Sequence, residues 1–207
     1  MLITVKTLMF VAMFLFSMAA FQEDAAGPGS GPGSSPEYTS DSQLKFPEHY
    51  REWVYLTSGF DMSYFPAAQG GEHHMFDNVF VNPEAYKVFV KTGTWPDKTT
   101  FVIEVRGAEE KGSINKKGNY QSTTTMGFEV HVKDEARFQG TWAFFGFDDG
   151  NKASKKIPAS ADCYSCHASH GAVDTTFVQF YPTLLPIAKS KGALAAAYLK
   201  EVGKSAE

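Results

Sequence analysis

Both cysteines of this chain fall within one short run, Cys163-Tyr164-Ser165-Cys166-His167. A Cys-X-X-Cys-His run is the attachment motif of a c-type haem. Each thiol can bond to one vinyl group of the macrocycle, and the histidine that follows is then held beneath the iron as an axial ligand. The motif therefore predicts one covalent haem c, with Cys163 and Cys166 as its attachment residues and His167 as the metal ligand.

Two other uses of a cysteine pair agree less well with the sequence. A zinc ion could take Cys163, Cys166 and His170, but a structural zinc site is normally closed by four ligands and is often built from two cysteine pairs. This chain has only one pair. A redox dithiol usually lies among alternating strands and helices, and no such alternation surrounds the motif.

The first residues have the features of an export signal. Lys6 supplies a positive charge, residues 8–16 form an apolar core, and small residues precede a cleavage point after about Ala19. The apolar core is shorter than the roughly 20 residues of a membrane-spanning helix. Because haem is attached to such motifs outside the cytoplasm, we expect a cleaved signal peptide over residues 1–19, a periplasmic location and no stable membrane span.

The rest of the chain divides into a linker and one domain. Residues 20–43 are rich in Gly, Pro and Ser and poor in apolar residues, so they predict a flexible linker. Residues 44–203 amount to one domain, and the 18 Phe, 9 Tyr and 3 Trp of the sequence suffice for a core with an aromatic-lined pocket. The formal net charge of −4 and the lack of a basic patch argue against nucleic acid as a partner.

Hydrophobic periodicity predicts an α+β fold. Alternation predicts strands over residues 75–81, 99–106, 122–132 and 141–147, with a long turn over residues 107–120. Asn82-Pro83-Glu84 predicts a helix start, and Gly93 its end. Further helices are expected over residues 48–53, at the motif with Ser160 as its cap, over residues 176–185 until Pro186, and over residues 194–202. We therefore expect an antiparallel sheet with flanking helices, and haem between the sheet and the C-terminal helical segment.

Several short segments, taken in order, resemble one known family. They are Glu48-His49-Tyr50-Arg51-Glu52-Trp53-Val54, Val79-Phe80-Val81-Asn82-Pro83-Glu84-Ala85-Tyr86, Thr92-Gly93-Thr94-Trp95-Pro96-Asp97, Val132-Lys133-Asp134-Glu135-Ala136-Arg137-Phe138, Trp142-Ala143-Phe144, and the haem motif followed by Phe180-Tyr181-Pro182. Over residues 45–187 they are similar to the cytochrome P460 family and its relatives, the cytochromes c′-beta. The resemblance implies a homodimer with an antiparallel sheet and a five-coordinate haem with an open distal face. It also implies hydroxylamine oxidation or nitric oxide binding.

The chain departs from this pattern at one position. The resemblance places a lysine, bonded to the haem edge in hydroxylamine-oxidising members, where this sequence reads Val102-Ile103-Glu104. Ile103 cannot form that bond. The resemblance also makes Phe80 and Ile103, or Phe76 and the face of residues 101–105, candidates for the wall around the haem. Asp148 and Asp149 are candidates for a distal acid, although a solvated loop is the favoured interpretation of that segment.

Three functions remain open. We favour a protein that binds or detoxifies nitric oxide or a related small nitrogen species. The second is an enzyme that oxidises hydroxylamine or reduces peroxide, which needs an acid or base near the iron. The third is an electron carrier that serves a redox-partner cytochrome, with a Met or His in the sixth position. The candidates for that ligand are Met62, Met75, Met126, His49, His73, His74, His131 and His170.

Overall fold

The computed structural model describes residues 35–62, 74–148 and 150–204. The predicted signal peptide and most of the predicted linker lie outside these residues. The described strands are β1 (Leu44–Lys45), β2 (Val54–Phe60), β3 (Met75–Val81), β4 (Thr100–Glu110), β5 (Asn119–Lys133), β6 (Trp142–Phe147) and β7 (Ala153–Ser154). The described α-helices are α1 (Pro83–Thr92), α2 (Asp162–His170), α3 (Leu185–Ser190) and α4 (Ala196–Lys204), and short 3₁₀ helices span Tyr50–Glu52 and Val178–Phe180.

Five strands form one antiparallel sheet in the order β2-β3-β4-β5-β6. Each strand thus pairs with its neighbours along the chain, and β1 pairs separately with β7. The fold is α+β, with helices flanking an antiparallel sheet, as the periodicity predicts. In the part of the chain that the structure describes, every helix falls short of the length and apolarity needed to cross a membrane.

Because side chains alternate along a strand, the sheet has two faces with separate cores. The first, here called the helix-covered face, packs against α1 and the segment after α2. Its buried residues include Val79, Val81 and Phe101 from the sheet and Phe89 from α1. The second, here called the N-terminal face, packs against the start of the domain. It includes Val102, Val130, Val132 and Phe145 from the sheet, with Leu44, Tyr50 and Trp53.

A buried carboxylate ties the N-terminal segment to its face of the sheet. Glu104 is 1% exposed and accepts a hydrogen bond of 2.5 Å from the Tyr50 hydroxyl. Arg51 lies 2.6 Å from the same carboxylate, and Arg106 binds its other oxygen. Burial acts to raise the pKa of Glu104, but these three partners together hold it below its ordinary value.

Several predicted elements are confirmed. The strand over residues 75–81 has the predicted bounds, and α1 begins after Asn82 and ends before Gly93. Gly93 has a φ of 81°, which favours glycine, and a Cβ added there would lie 2.8 Å from the Cβ of Lys191.

Other elements differ from prediction for identifiable reasons. Strand β2 is absent from the predicted strands, yet Gly59 within it pairs with Asp77 in the sheet. The turn between β4 and β5 is shorter than predicted, because its polar residues extend both strands. Residues 176–185 do not form one helix, and Pro186 lies in the first turn of α3, where a missing N–H costs nothing.

Candidate functional site

Helix α2 carries the whole cysteine and histidine motif. Positions three and four apart share one helix face, so Cys163, Cys166 and His167 project to the same side. Both cysteines are half-buried free thiols. Ser160 does not cap the helix, whose N-cap is Ala161, but Asp162 in the first turn favours the helix start electrostatically.

Tyr164, inside the motif, connects α2 to β6, the edge strand of the sheet. Its hydroxyl donates to the Ile157 carbonyl at 3.0 Å and accepts from the Phe144 N–H at 3.4 Å. The rings of Tyr164 and Phe144 also contact each other, with centroids 4.6 Å apart. The position of the motif relative to β6 is therefore set by a residue between the two cysteines.

The imidazole of His167 is half-buried and held in one orientation. Its Nδ1 lies 2.8 Å from the Thr175 carbonyl oxygen, so Nδ1 carries the proton and Nε2 presents its lone pair. The rings of Phe177, Phe144 and His131 surround it at centroid distances of 4.3, 4.7 and 5.0 Å. Burial, with a smaller contribution from His131, lowers the pKa of His167 to about 4. The imidazole is therefore neutral near pH 7, the form that binds metals.

The Thr175 carbonyl reaches His167 because the chain folds back tightly after α2. Gly171 has no space for a side chain, since a Cβ there would lie 2.7 Å from the His167 carbonyl oxygen and 2.6 Å from the Thr175 carbonyl carbon. Asp174 and Thr175 then adopt φ values of 48° and 60°. Such values are unusual for residues with side chains, and consecutive ones mark a turn that its surroundings hold in place.

A cavity of about 390 Å³ opens beside His167, between the helix-covered face and the segment after α2. Most of its wall is apolar. The apolar and aromatic lining residues include Val79, Phe101, Ile103, Val105, Phe177, Phe180 and Tyr181. Three of these come from β4, whose alternation brings residues 101, 103 and 105 to one face.

The polar part of the wall consists chiefly of Asp77, Glu129 and His131. Glu129 lies 3.5 Å from His131, and this neighbour holds the pKa of Glu129 below its ordinary value. Burial, aided by the Glu129 charge, raises the pKa of Asp77 to about 6. One cavity therefore contains a carboxylate and a carboxyl group that gains or loses its proton close to neutral pH.

The family model described as Cytochrome P460 matches residues 47–178, which is more than half of the chain and includes the sheet and the motif. The chain belongs to the cytochrome P460 family. No curated protein matches the chain. The match confirms the resemblance seen in the sequence, and it makes this a haem protein of the c-type cytochrome class.

The residues on α2 and around the cavity fit the haem of the cytochrome P460 family. Two free thiols and one imidazole share a helix face, and Nδ1 of that imidazole is already bonded, which leaves Nε2 for a metal. A predominantly apolar cavity adjoins the imidazole. Cys163, Cys166 and His167 are thus the residues that could hold the haem.

The zinc alternative has no comparable support. Within residues 35–62, 74–148 and 150–204, no three His, Cys, Asp or Glu side chains are grouped to hold a metal ion. His170, the third ligand considered for zinc, contacts Glu201 at 3.0 Å instead.

The two predicted wall residues lie on opposite faces of the sheet. Ile103 lines the cavity beside His167, and Phe80 does not. Phe80 lies on the N-terminal face, with its ring 5.5 Å from that of Tyr50 and 5.8 Å from that of Tyr55. Alternation in β3 directs Val79, the preceding residue, into the cavity.

The other predicted site residues are also dispersed. Asp148 is exposed and lies outside the cavity wall, while Asp149 is not among the described residues. Of the candidate sixth ligands, Met62 and His131 line the cavity and His73 falls outside the described residues. Sequence reasoning missed the cavity position of Asp77, although a charged residue in the middle of an apolar strand was a usable signal.

Proposed function

We propose that this member of the cytochrome P460 family is an exported mono-haem c-type cytochrome that binds or detoxifies nitric oxide or a related small nitrogen species. The observation that carries the proposal is the apolar wall beside His167, formed by Val79, Ile103 and Val105. When bound, the haem would supply an iron atom able to bind both a protein side chain and a small ligand.

In this proposal each residue of α2 has a defined role. Cys163 and Cys166 would hold the haem through thioether bonds, and His167 would bind its iron through Nε2. The Thr175 carbonyl accepts the Nδ1–H bond and so keeps the imidazole in one orientation. Because the pKa of His167 is low, its imidazole is neutral near pH 7. Iron would therefore not have to displace a proton from Nε2.

The apolar wall supports an uncharged ligand. Burying a charged or strongly hydrated group against Val79, Ile103 and Val105 would be costly, whereas nitric oxide is small and neutral. Ile103 also has no amine that could bond to the macrocycle. These two properties favour ligand binding over the lysine-dependent chemistry of the hydroxylamine-oxidising relatives.

Titration of the ferrous protein with nitric oxide tests this function. We expect one equivalent to bind per haem in the wild type and in Ile103→Leu, which keeps the wall apolar. Ile103→Asp should weaken binding roughly tenfold or more, as the cost of a poorly paired polar group predicts. A wild-type ferrous protein that does not bind nitric oxide would contradict the proposal.

A second candidate function rests on Asp77, Glu129 and His131, which give the cavity groups able to take up protons. Oxidation of hydroxylamine or reduction of peroxide requires such groups. If the protein turns over hydroxylamine with an artificial electron acceptor, Asp77→Asn and Glu129→Gln should reduce the rate and Glu110→Gln, in the exposed hairpin, should not. The absence of turnover by the wild type would eliminate this candidate.

Export and assembly belong to the same proposal. The predicted signal peptide over residues 1–19 would deliver the chain to the periplasm, where haem attachment takes place. We propose a homodimer there, together with a redox-partner cytochrome. Mass spectrometry of the periplasmic fraction should find a chain that begins near residue 20. In size-exclusion chromatography, the elution volume of the protein should correspond to two copies of the chain.

A further inference from the structure

We infer that Lys133 is a positioning residue for His167 and acts through the turn Val173–Thr176, without touching His167 itself. The inference rests on the proposed role of His167 as the axial ligand. It assigns a function to a buried cation on the sheet that neither the motif nor the cavity explains.

Lys133 is the last residue of β5 and is only 9% exposed. Its ammonium group donates to the Asp174 carboxylate at 2.7 Å and to the Trp95 carbonyl oxygen at 2.8 Å. Glu135 is farther away, at 3.7 Å. A buried ammonium needs such partners, and here one of them belongs to the turn that carries Thr175.

The turn is also held from its other end. The Trp95 indole N–H donates to the Thr176 hydroxyl at 2.8 Å, and that hydroxyl donates to the Val173 carbonyl at 2.6 Å. Since Lys133 binds the backbone of Trp95, the two attachments form one connected unit, here called the turn clamp: Lys133, Trp95, Asp174 and Thr176. Within the clamp, Asp174 and Thr175 keep their left-handed conformations.

The atom of this turn that bonds to the imidazole of His167 is the Thr175 carbonyl oxygen. A hydrogen bond to Nδ1–H makes an imidazole a stronger electron donor to a metal and fixes its rotation. If the Lys133 ammonium is removed, Asp174 loses its charged partner and the strained turn can relax. The Thr175 carbonyl would then bond less well, and the imidazole would become a weaker donor.

The test compares Lys133→Met with Lys133→Arg, Asp174→Asn and a matched control, Lys98→Met. Lys98 pairs with Asp134 near the same end of the sheet, and its side chain is 42% exposed. The readouts are the iron–histidine stretching frequency of the ferrous haem protein by resonance Raman, the reduction potential, and amide exchange at Thr176.

For Lys133→Met and Asp174→Asn we expect a lower iron–histidine frequency and a higher reduction potential than in the wild type. Exchange at Thr176 should accelerate on the order of tenfold, as loss of a charged hydrogen bond predicts. Lys133→Arg should remain close to the wild type, because a guanidinium can still bind the carboxylate, and Lys98→Met should change none of the three readouts.

An unchanged frequency and potential in a folded Lys133→Met protein would overturn the inference. If that variant does not fold, unchanged values in Asp174→Asn would overturn it equally. Failure of the proposed function gives a different result, because it is measured on the wild type alone, as a ferrous protein that does not bind nitric oxide.

Discussion

Ile103 lies directly opposite Glu129 in the pairing of β4 with β5, and both residues line the cavity beside His167. On its other side Ile103 pairs with Val79. The wall therefore changes from apolar to acidic between two adjacent strands. Ile103, the position at which the resemblance places a cross-linking lysine, lies in the cavity wall, and its side chain has no amine.

The first prediction is that the haem carries no bond to a lysine. Ile103 cannot supply one, and Lys111 in the β4–β5 hairpin has a side chain that is 85% exposed. We expect an ordinary c-type pyridine haemochrome spectrum, and peptide mapping should find haem only on the peptide that contains Cys163 and Cys166. Haem recovered on any lysine peptide would contradict the prediction.

The second prediction concerns attachment through α2. Replacing both Cys163 and Cys166 with Ala should leave a chain without covalent haem, because no other thiol is present in the sequence. Intact mass spectrometry measures the difference, and Ser165→Ala, which alters only an exposed position between them, should retain one haem. A colourless wild-type protein loaded with zinc would overturn this interpretation of the motif.

The third prediction follows from Asp77, whose pKa is raised from 3.8 to about 6 by burial. Between these pH values the folded protein keeps a proton that the unfolded chain has lost, so the free energy of unfolding falls as pH rises from about 4 to about 6. Asp77→Asn removes this dependence. We expect the variant to be more stable than the wild type by about 1–2 kcal/mol at pH 7, after allowance for solvent screening.

Urea denaturation at several pH values provides the measurement for Asp77. The stability difference should shrink to near zero at about pH 4, where Asp77 is protonated in the folded state. Glu110→Gln, at an exposed position, should follow the wild type throughout. An Asp77→Asn variant that is less stable than the wild type at pH 7, by a difference that shrinks as the pH falls, would show that Asp77 is stabilised as a carboxylate instead.

The fourth prediction tests the buried carboxylate on the N-terminal face. Tyr50→Phe removes the 2.5 Å hydrogen bond to Glu104 and should lower the free energy of unfolding by about 1.5–3 kcal/mol. Tyr55→Phe deletes the same atom from a residue that is 54% exposed, so its effect should stay within about 0.5 kcal/mol. Equal effects of the two substitutions in chemical denaturation would contradict the assignment.

The sequence was most informative where the chemistry is local. The spacing of Cys163, Cys166 and His167 is enough to predict that they act as a group, because one helix turn brings them together. Alternation in β3 revealed two faces but not which one points inward, since both are apolar. For that reason the pattern does not distinguish Phe80 from Val79, and it is Val79 that lines the cavity.

Other features depend on contacts distant in the sequence. The sequence around Gly59 does not by itself predict a strand, because β2 depends on its pairing with β3. The Thr175 carbonyl is a backbone group that every residue type has, so the sequence does not predict its hydrogen bond with His167. The position of this carbonyl depends on the close packing of Gly171 against the backbone of His167 and Thr175. It also depends on the hydrogen bond from Lys133 to Asp174, which lies 41 residues away in the chain.

The most direct measurement is the absorption spectrum of the ferrous protein before and after one equivalent of nitric oxide. An open axial position opposite His167 predicts a high-spin five-coordinate spectrum that converts completely to a nitrosyl form. A low-spin six-coordinate spectrum that nitric oxide does not alter, and that becomes high-spin in Met62→Ala or His131→Ala, would contradict this and identify an electron carrier.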